Sequence, residues 1–210
     1  MSREAYKSRL RAAYFWLLRS ISPKHVSHGL PVWMPLSAAH LRSRIYKRLD
    51  GALDLLSTYA PARYDRTVRS LKGFLVLGTG EATRGSYDPA NGVCRLSETF
   101  MRKVDTTPAA IACTVVHEAT HGRLFELGIG YEEPIRHRVE LLCIKAELLT
   151  AQRLPGATDE VEHCRAQMLV EPEYFSKEQF VERGTHQLRE RGCPEWLIRA
   201  IVRIARKRAA

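Results

Sequence analysis

The chain has 210 residues, with 33 Lys and Arg against 23 Asp and Glu and an apolar fraction of 45%. A chain of this length buries about 70% of its unfolded surface, and this composition excludes disordered, collagen-like and other low-complexity classes. One domain is expected over 1–210, comprising a basic helical part (1–72), a core (73–153) and a second helical part (154–210).

The formal charge of +10 is unevenly placed. Residues 1–50 hold ten Lys and Arg and two Asp and Glu, and residues 201–210 add four cations, so the middle is nearly neutral. Such basic ends suit solvated helix faces; they also suit a weak anionic partner, either phosphate or a charged membrane surface. Cys94, Cys113, Cys143, Cys164 and Cys193 are odd in number, form no CxxC and mostly sit among apolar neighbours, which reads as buried thiols in a reducing, cytoplasmic setting. The apolar stretch Ala12–Leu18 is far shorter than the ~20 residues of a membrane span and lacks a cleavage signal, so no transmembrane segment is expected.

In chain order, residues 3–20 read as a helix. A Pro- and Gly-broken connector follows through Pro35, then a helix over about 37–60 and a short one from Pro61 through Leu71. His25, His28 and His40, in or beside that connector, read as surface histidines. Three antiparallel strands are expected at Gly73–Gly80, Ala82–Asp88 and Val93–Met101, the last two joined by hairpin chemistry at Asp88–Gly92. Thr107-Pro108 starts a helix that Gly128 stops, and a second long helix runs from Pro134 to before Pro155. Residues 157–170 look helical, Ser176–Gln179 forms a capping-box start, and Pro194 opens a last helix. The apolar side of that helix and the Phe15-Trp16 stretch read as docking faces.

The chemistry lies in Val116-His117-Glu118-Ala119-Thr120-His121. Histidines at i and i+4 stand one above the other on a helix face, so their imidazoles converge on one Zn²⁺, with Glu118 in reach of a metal-activated water. Pro108–Val116 carries no charge and is apolar all round, the pattern of a buried helix, in which unpaired ionisable groups cost several kcal/mol. On the next helix Glu133, Arg136, Glu140 and Glu147 share one stripe, and Arg138, Lys145 and Gln152 share another roughly 160° away. Val139, Leu142, Ala146 and Leu149 read as one apolar flank, with Leu141, Ile144 and Leu148 as the other. The glutamate stripe would then face inward and offer a third ligand.

These segments resemble the zincin metallopeptidases in their glutamate-ligand form, the gluzincins, over about residues 73–153. The residues that carry the resemblance are the HExxH helix, the His121-to-Glu140 interval and the run Glu140-x-x-Cys143-x-x-Ala146-Glu147. The metzincin form is excluded, because its Gly and His positions are Leu124 and Leu127 here. The resemblance implies an α+β, mainly helical domain with a small, about three-stranded antiparallel sheet beside the HExxH helix. It also implies one Zn²⁺ per chain on His117, His121 and Glu140, with Glu147, Glu133 and His137 as alternative ligands and Glu147 or Arg136 as residues that orient a ligand. Glu118 would be the general base of a zinc peptidase whose peptide or protein substrate adds a strand to the sheet edge, at either Ala82–Tyr87 or Val93–Leu96. Tyr131, His163 and His186 are oxyanion-donor candidates by residue type alone, and Tyr87 stands open in the same way. The rival readings are a catalytically silent sensor or partner-binding module of this fold, and a basic helical module in which the motif is accidental.

Overall fold

The computed structural model describes residues 13–35, 37–78, 83–190 and 192–207, with side chains through residue 203. The expected helix at 3–20 lies partly outside these residues; its described part is α1, over 13–21. The other helices are α2 (Ala39–Tyr59), α3 (Pro61–Ser70), α4 (Glu98–Arg102), α5 (Pro108–Glu126), α6 (Arg136–Ala151), α7 (Thr158–Met168), α8 (Lys177–Glu190) and α9 (Glu195–Lys207). Among the described residues no helix is long and apolar enough to cross a membrane.

The sheet is larger and more mixed than the sequence reading anticipates. Its five strands are β1 (His25–Ser27), β2 (Leu30–Trp33), β3 (Phe74–Leu77), β4 (Gly85–Asp88) and β5 (Val93–Ser97), in the order β1-β2-β3-β5-β4. The β1–β2 and β4–β5 pairs are antiparallel, whereas β3 runs parallel to both β2 and β5. The expected three-stranded antiparallel sheet is therefore corrected twice. First, the connector supplies a hairpin, because His28 and Gly29 both adopt positive φ (50° and 81°) and turn the chain in two residues. Second, β3 follows β2 through the crossover helices α2 and α3 and so runs parallel to it, and it also runs parallel to β5 because β4 intervenes between them in the chain and pairs on the far side of β5. The third predicted strand also stops early: the Ser97 hydroxyl accepts from the Phe100 N–H, and the chain turns into α4.

Alternation along the strands gives the sheet two apolar faces. Val32, Phe74, Val76, Cys94 and Leu96 face the main core with Ile45, Leu49 and Leu53 of α2 and Ile111, Val115 and Val116 of α5. Trp33, Leu75, Leu77 and Val93 face the other way, against Phe15 and Leu18 of α1. His25 and His28 are half-buried rather than free on the surface. His25 stacks on Tyr46 of α2, while His28 meets Tyr64 of α3 at 2.9 Å and Asp54 of α2 at 3.1 Å, which pins the hairpin to the helices.

Candidate metal centre

Helix α5 is built as its sequence requires. Thr107 caps it by accepting from the Ala110 N–H at 3.1 Å, Pro108 fills the first turn, and every residue from Ala109 to Val116 is buried. One turn further on, His117 and His121 lie on one face with ring centroids 5.1 Å apart, and Glu118 is buried on the adjoining face.

Helix α6 packs along α5 and supplies the carboxylates. Glu140 Oε2 lies 3.3 Å from His117 Nε2, and its Oε1 lies 3.6 Å from His121 Nε2. Glu147, two turns on, places Oε2 2.9 Å from His117 Nδ1. The Tyr131 hydroxyl donates to Glu140 Oε1, and its ring stands edge-on to His121 at 5.2 Å. The Arg136 guanidinium lies 4.2 Å over the Tyr131 ring.

The remaining candidates lie elsewhere. Glu133 pairs with Arg136 at 3.2 Å and accepts from the Lys177 N–H, so it is no ligand. The physical reason is that α6 starts at Arg136; Glu133 sits in a preceding 3₁₀ turn, off the helical stripe. His137 stacks on Phe175 instead of reaching the centre. His186 is exposed on α8 beside Glu190, and His163 is half-buried on α7, so neither is assigned as an oxyanion donor. Leu142 and Leu149 are exposed at 49% and 46%: they share the outer stripe with Arg138 and Lys145, while Val139 and Ala146 alone are buried on that flank.

Sequence reasoning passed over Cys143 as a donor. Its Sγ lies within 4.8 Å of a ring nitrogen of each histidine, one turn from Glu140 on α6. The centre thus offers two α6 donors. Glu140 approaches the imidazoles with different oxygens, Oε2 at 3.3 Å from His117 and Oε1 at 3.6 Å from His121, each close to the ~3.3 Å that separates neighbouring ligand atoms of a tetrahedral zinc, whereas Cys143 brings one sulfur within 4.8 Å of both rings.

Electrostatics favour a cation here. Burial alone would lower the His117 pKa, but hydrogen bonds to Glu140 and Glu147 outweigh it and hold the ring well above the usual histidine value. Burial and the positive His117 push His121 down to about 4, which leaves it neutral. Burial works against ionisation of Glu140, yet hydrogen bonding to His117, the imidazole charges and Tyr131 bring it down to about 2. Glu118 is raised to about 7, chiefly by burial, with Glu140 and Glu147 adding to the rise. Three glutamates and one imidazolium share this interior, with Arg136 at its border; a divalent ion in place of the His117 Nε2 proton would balance the excess negative charge.

Strand β4 closes the other side of Glu118. The Tyr87 N–H donates to the Glu118 carboxylate, and a Cβ on Gly85 would lie 3.2 Å from Glu118 Cγ and 3.1 Å from the Arg95 carbonyl, so a larger residue there would push its neighbours back by a few tenths of an ångström. The Tyr87 ring packs on Gly122 and lies 6.4 Å from the Phe125 ring of α5. Among the described residues β4 is a sheet edge, which resolves the choice of strand above the site. Compared with known proteins, the chain matches no family model, no curated protein and no solved structure.

Proposed function

We propose that this protein is a zinc-dependent peptidase of the gluzincin type. The observation that carries the reading is the convergence of His117 and His121 on the two oxygens of Glu140, with Glu147 behind His117 and Glu118 buried alongside. His117 and His121 would hold the ion through Nε2 and Glu140 through its carboxylate. When bound, Zn²⁺ supplies Lewis-acid polarisation of a carbonyl and acidifies water.

The chain's own groups do the rest. Glu118, buried beside the two imidazoles, takes the proton from the attacking water and returns it to the leaving amine. The Tyr87 N–H fixes the carboxylate that moves that proton. Glu147 sets the His117 ring, and Tyr131 sets Glu140. Apart from the Tyr87 N–H, which Glu118 occupies, the unpaired side of β4 leaves backbone groups for an extended peptide, so the substrate would be held by strand addition beside Glu118. Five free thiols, four of them buried, suit a reducing cytoplasmic setting.

Cys143 favours a second reading. If its thiolate joined His117, His121 and Glu140, four protein donors would close the centre and the protein would be a silent, metal-bearing partner module. Hydrolysis of an unfolded protein substrate by wild type and by Glu118→Gln, alongside zinc analysis of both, separates the two. Activity lost in the variant with zinc retained supports the peptidase; zinc bound with no activity in either supports the silent module.

A further inference from the structure

Helix α1 buries only part of its apolar surface. Phe15 and Leu18 pack under the sheet, whereas Tyr14, Trp16, Leu17 and Ile21 are 57%, 68%, 50% and 47% exposed. At the helical period these four and Ala13 span an arc of about 160°, interrupted only by Ser20. A helix whose task ends at covering a sheet carries polar residues on that arc. Single exposed apolar side chains are ordinary, but a continuous arc with two aromatics marks an interaction surface.

The surrounding charge selects the partner. Residues 1–24 contain Arg3, Lys7, Arg9, Arg11, Arg19 and Lys24 against Glu4 alone. The Arg19 guanidinium lies 4.8 Å over the Trp33 ring, at the border between the buried and exposed sides of α1. A second copy docked on this arc would bring two such cationic stretches together and be repelled. An anionic lipid surface matches both features: Trp and Tyr seat at headgroup depth, Leu and Ile reach the acyl boundary, and the cations meet negative headgroups. The described part of α1, over 13–21, is too short to cross a bilayer, and its apolar arc suits a place along the interface.

We infer that α1 docks this protein on an anionic membrane surface. Helix α5 lies against the opposite face of the sheet, so the candidate metal centre stays clear of the lipid. The inference is independent of the proposed hydrolysis.

The test is sedimentation of the full chain with vesicles of phosphatidylcholine alone and with a roughly three-to-one phosphatidylcholine and phosphatidylserine mixture. Binding is expected to the mixed vesicles, weakening as salt rises. Trp16→Ser combined with Leu17→Ser should lower it about tenfold or more with the circular dichroism spectrum unchanged. Equal binding to neutral vesicles, equal binding by the variant, or no binding by wild type overturns the inference. So does a wild-type dimer that the variant dissolves without any vesicle binding, since the occupant would then be a second copy. Should the double variant misfold, brominated lipid decides: it should quench tryptophan emission of wild type, and Trp16→Phe should lose most of that quenching. Quenching that is absent in wild type or unchanged in the variant contradicts the docking.

Discussion

Glu147 Oε2 lies 2.9 Å from Nδ1 of His117, while Nε2 of the same ring faces Glu140 at 3.3 Å. A carboxylate only accepts, so Nδ1 carries a hydrogen, the ring is fixed in orientation, and Nε2 is the nitrogen left for a metal. Replacing Glu147 with Gln is expected to weaken zinc binding about 10- to 100-fold without unfolding the chain. Competition against a chromophoric chelator measures this; an unchanged affinity would show that Glu147 does not support the ligand.

The second expectation concerns metal-free protein. Glu118 is held at about 7 when folded, against an ordinary value of 4.5, chiefly by burial. A raised folded-state pKa means that its contribution to stability is complete below the unfolded value and is lost as pH rises through the folded one. Above pH ~7 the wild-type chain therefore carries a buried carboxylate at a cost of a few kcal/mol, which Glu118→Gln removes. Urea unfolding in chelator should find the variant more stable than wild type at pH ~8 and the two nearly equal at pH ~4. Equal stability at both would show that Glu118 is not desolvated.

Much of this centre is legible in the sequence, because helical spacing is local information. His117, Glu118 and His121 follow from one motif, and Glu140 and Glu147 from a period of seven on one helix, two turns that hold wherever α6 begins. Glu133 fails for the same reason in reverse: its place on the stripe presumes a helix that has not yet started. The sheet is less legible. The short strands β1 and β2, with Pro31 inside the second, look like loop until β3 lies beside them, and that parallel pairing joins residues about forty positions apart, which no local pattern announces. Cys143 was visible only as one buried thiol among several; its closeness to both imidazoles needs the packing of α6 on α5.

Helix α5 also meets β4 through Gly122. A Cβ there would lie 2.8 Å from the Tyr87 ring and 3.0 Å from the Ser70 carbonyl, and the latter is backbone that cannot turn aside. Gly122→Ala is expected to cost about 1–3 kcal/mol and to lower the urea midpoint accordingly. A neutral or stabilising effect would show that α5 and α3 have slack between them.

Thiol reactivity tests the core. Cys94, Cys113, Cys143 and Cys164 are buried, and burial pushes each thiol upward, Cys164 to about 12, so all four stay protonated and shielded near neutral pH. Cys193 is only partly covered. A thiol-reactive disulfide reagent should titrate one group per native chain quickly, and the other four only after denaturation. Fast reaction of a second group would place one of the four nearer the surface.

X-ray absorption at the zinc edge, on protein loaded with one equivalent of zinc, tests the centre most directly. Nitrogen and oxygen neighbours are expected at about 2.0–2.1 Å, with the outer-shell pattern of two imidazoles, abolished by His117→Ala with His121→Ala. A sulfur neighbour at about 2.3 Å would mean that Cys143 closes the site, and a spectrum without histidine, or no zinc retained, would contradict the metal centre itself.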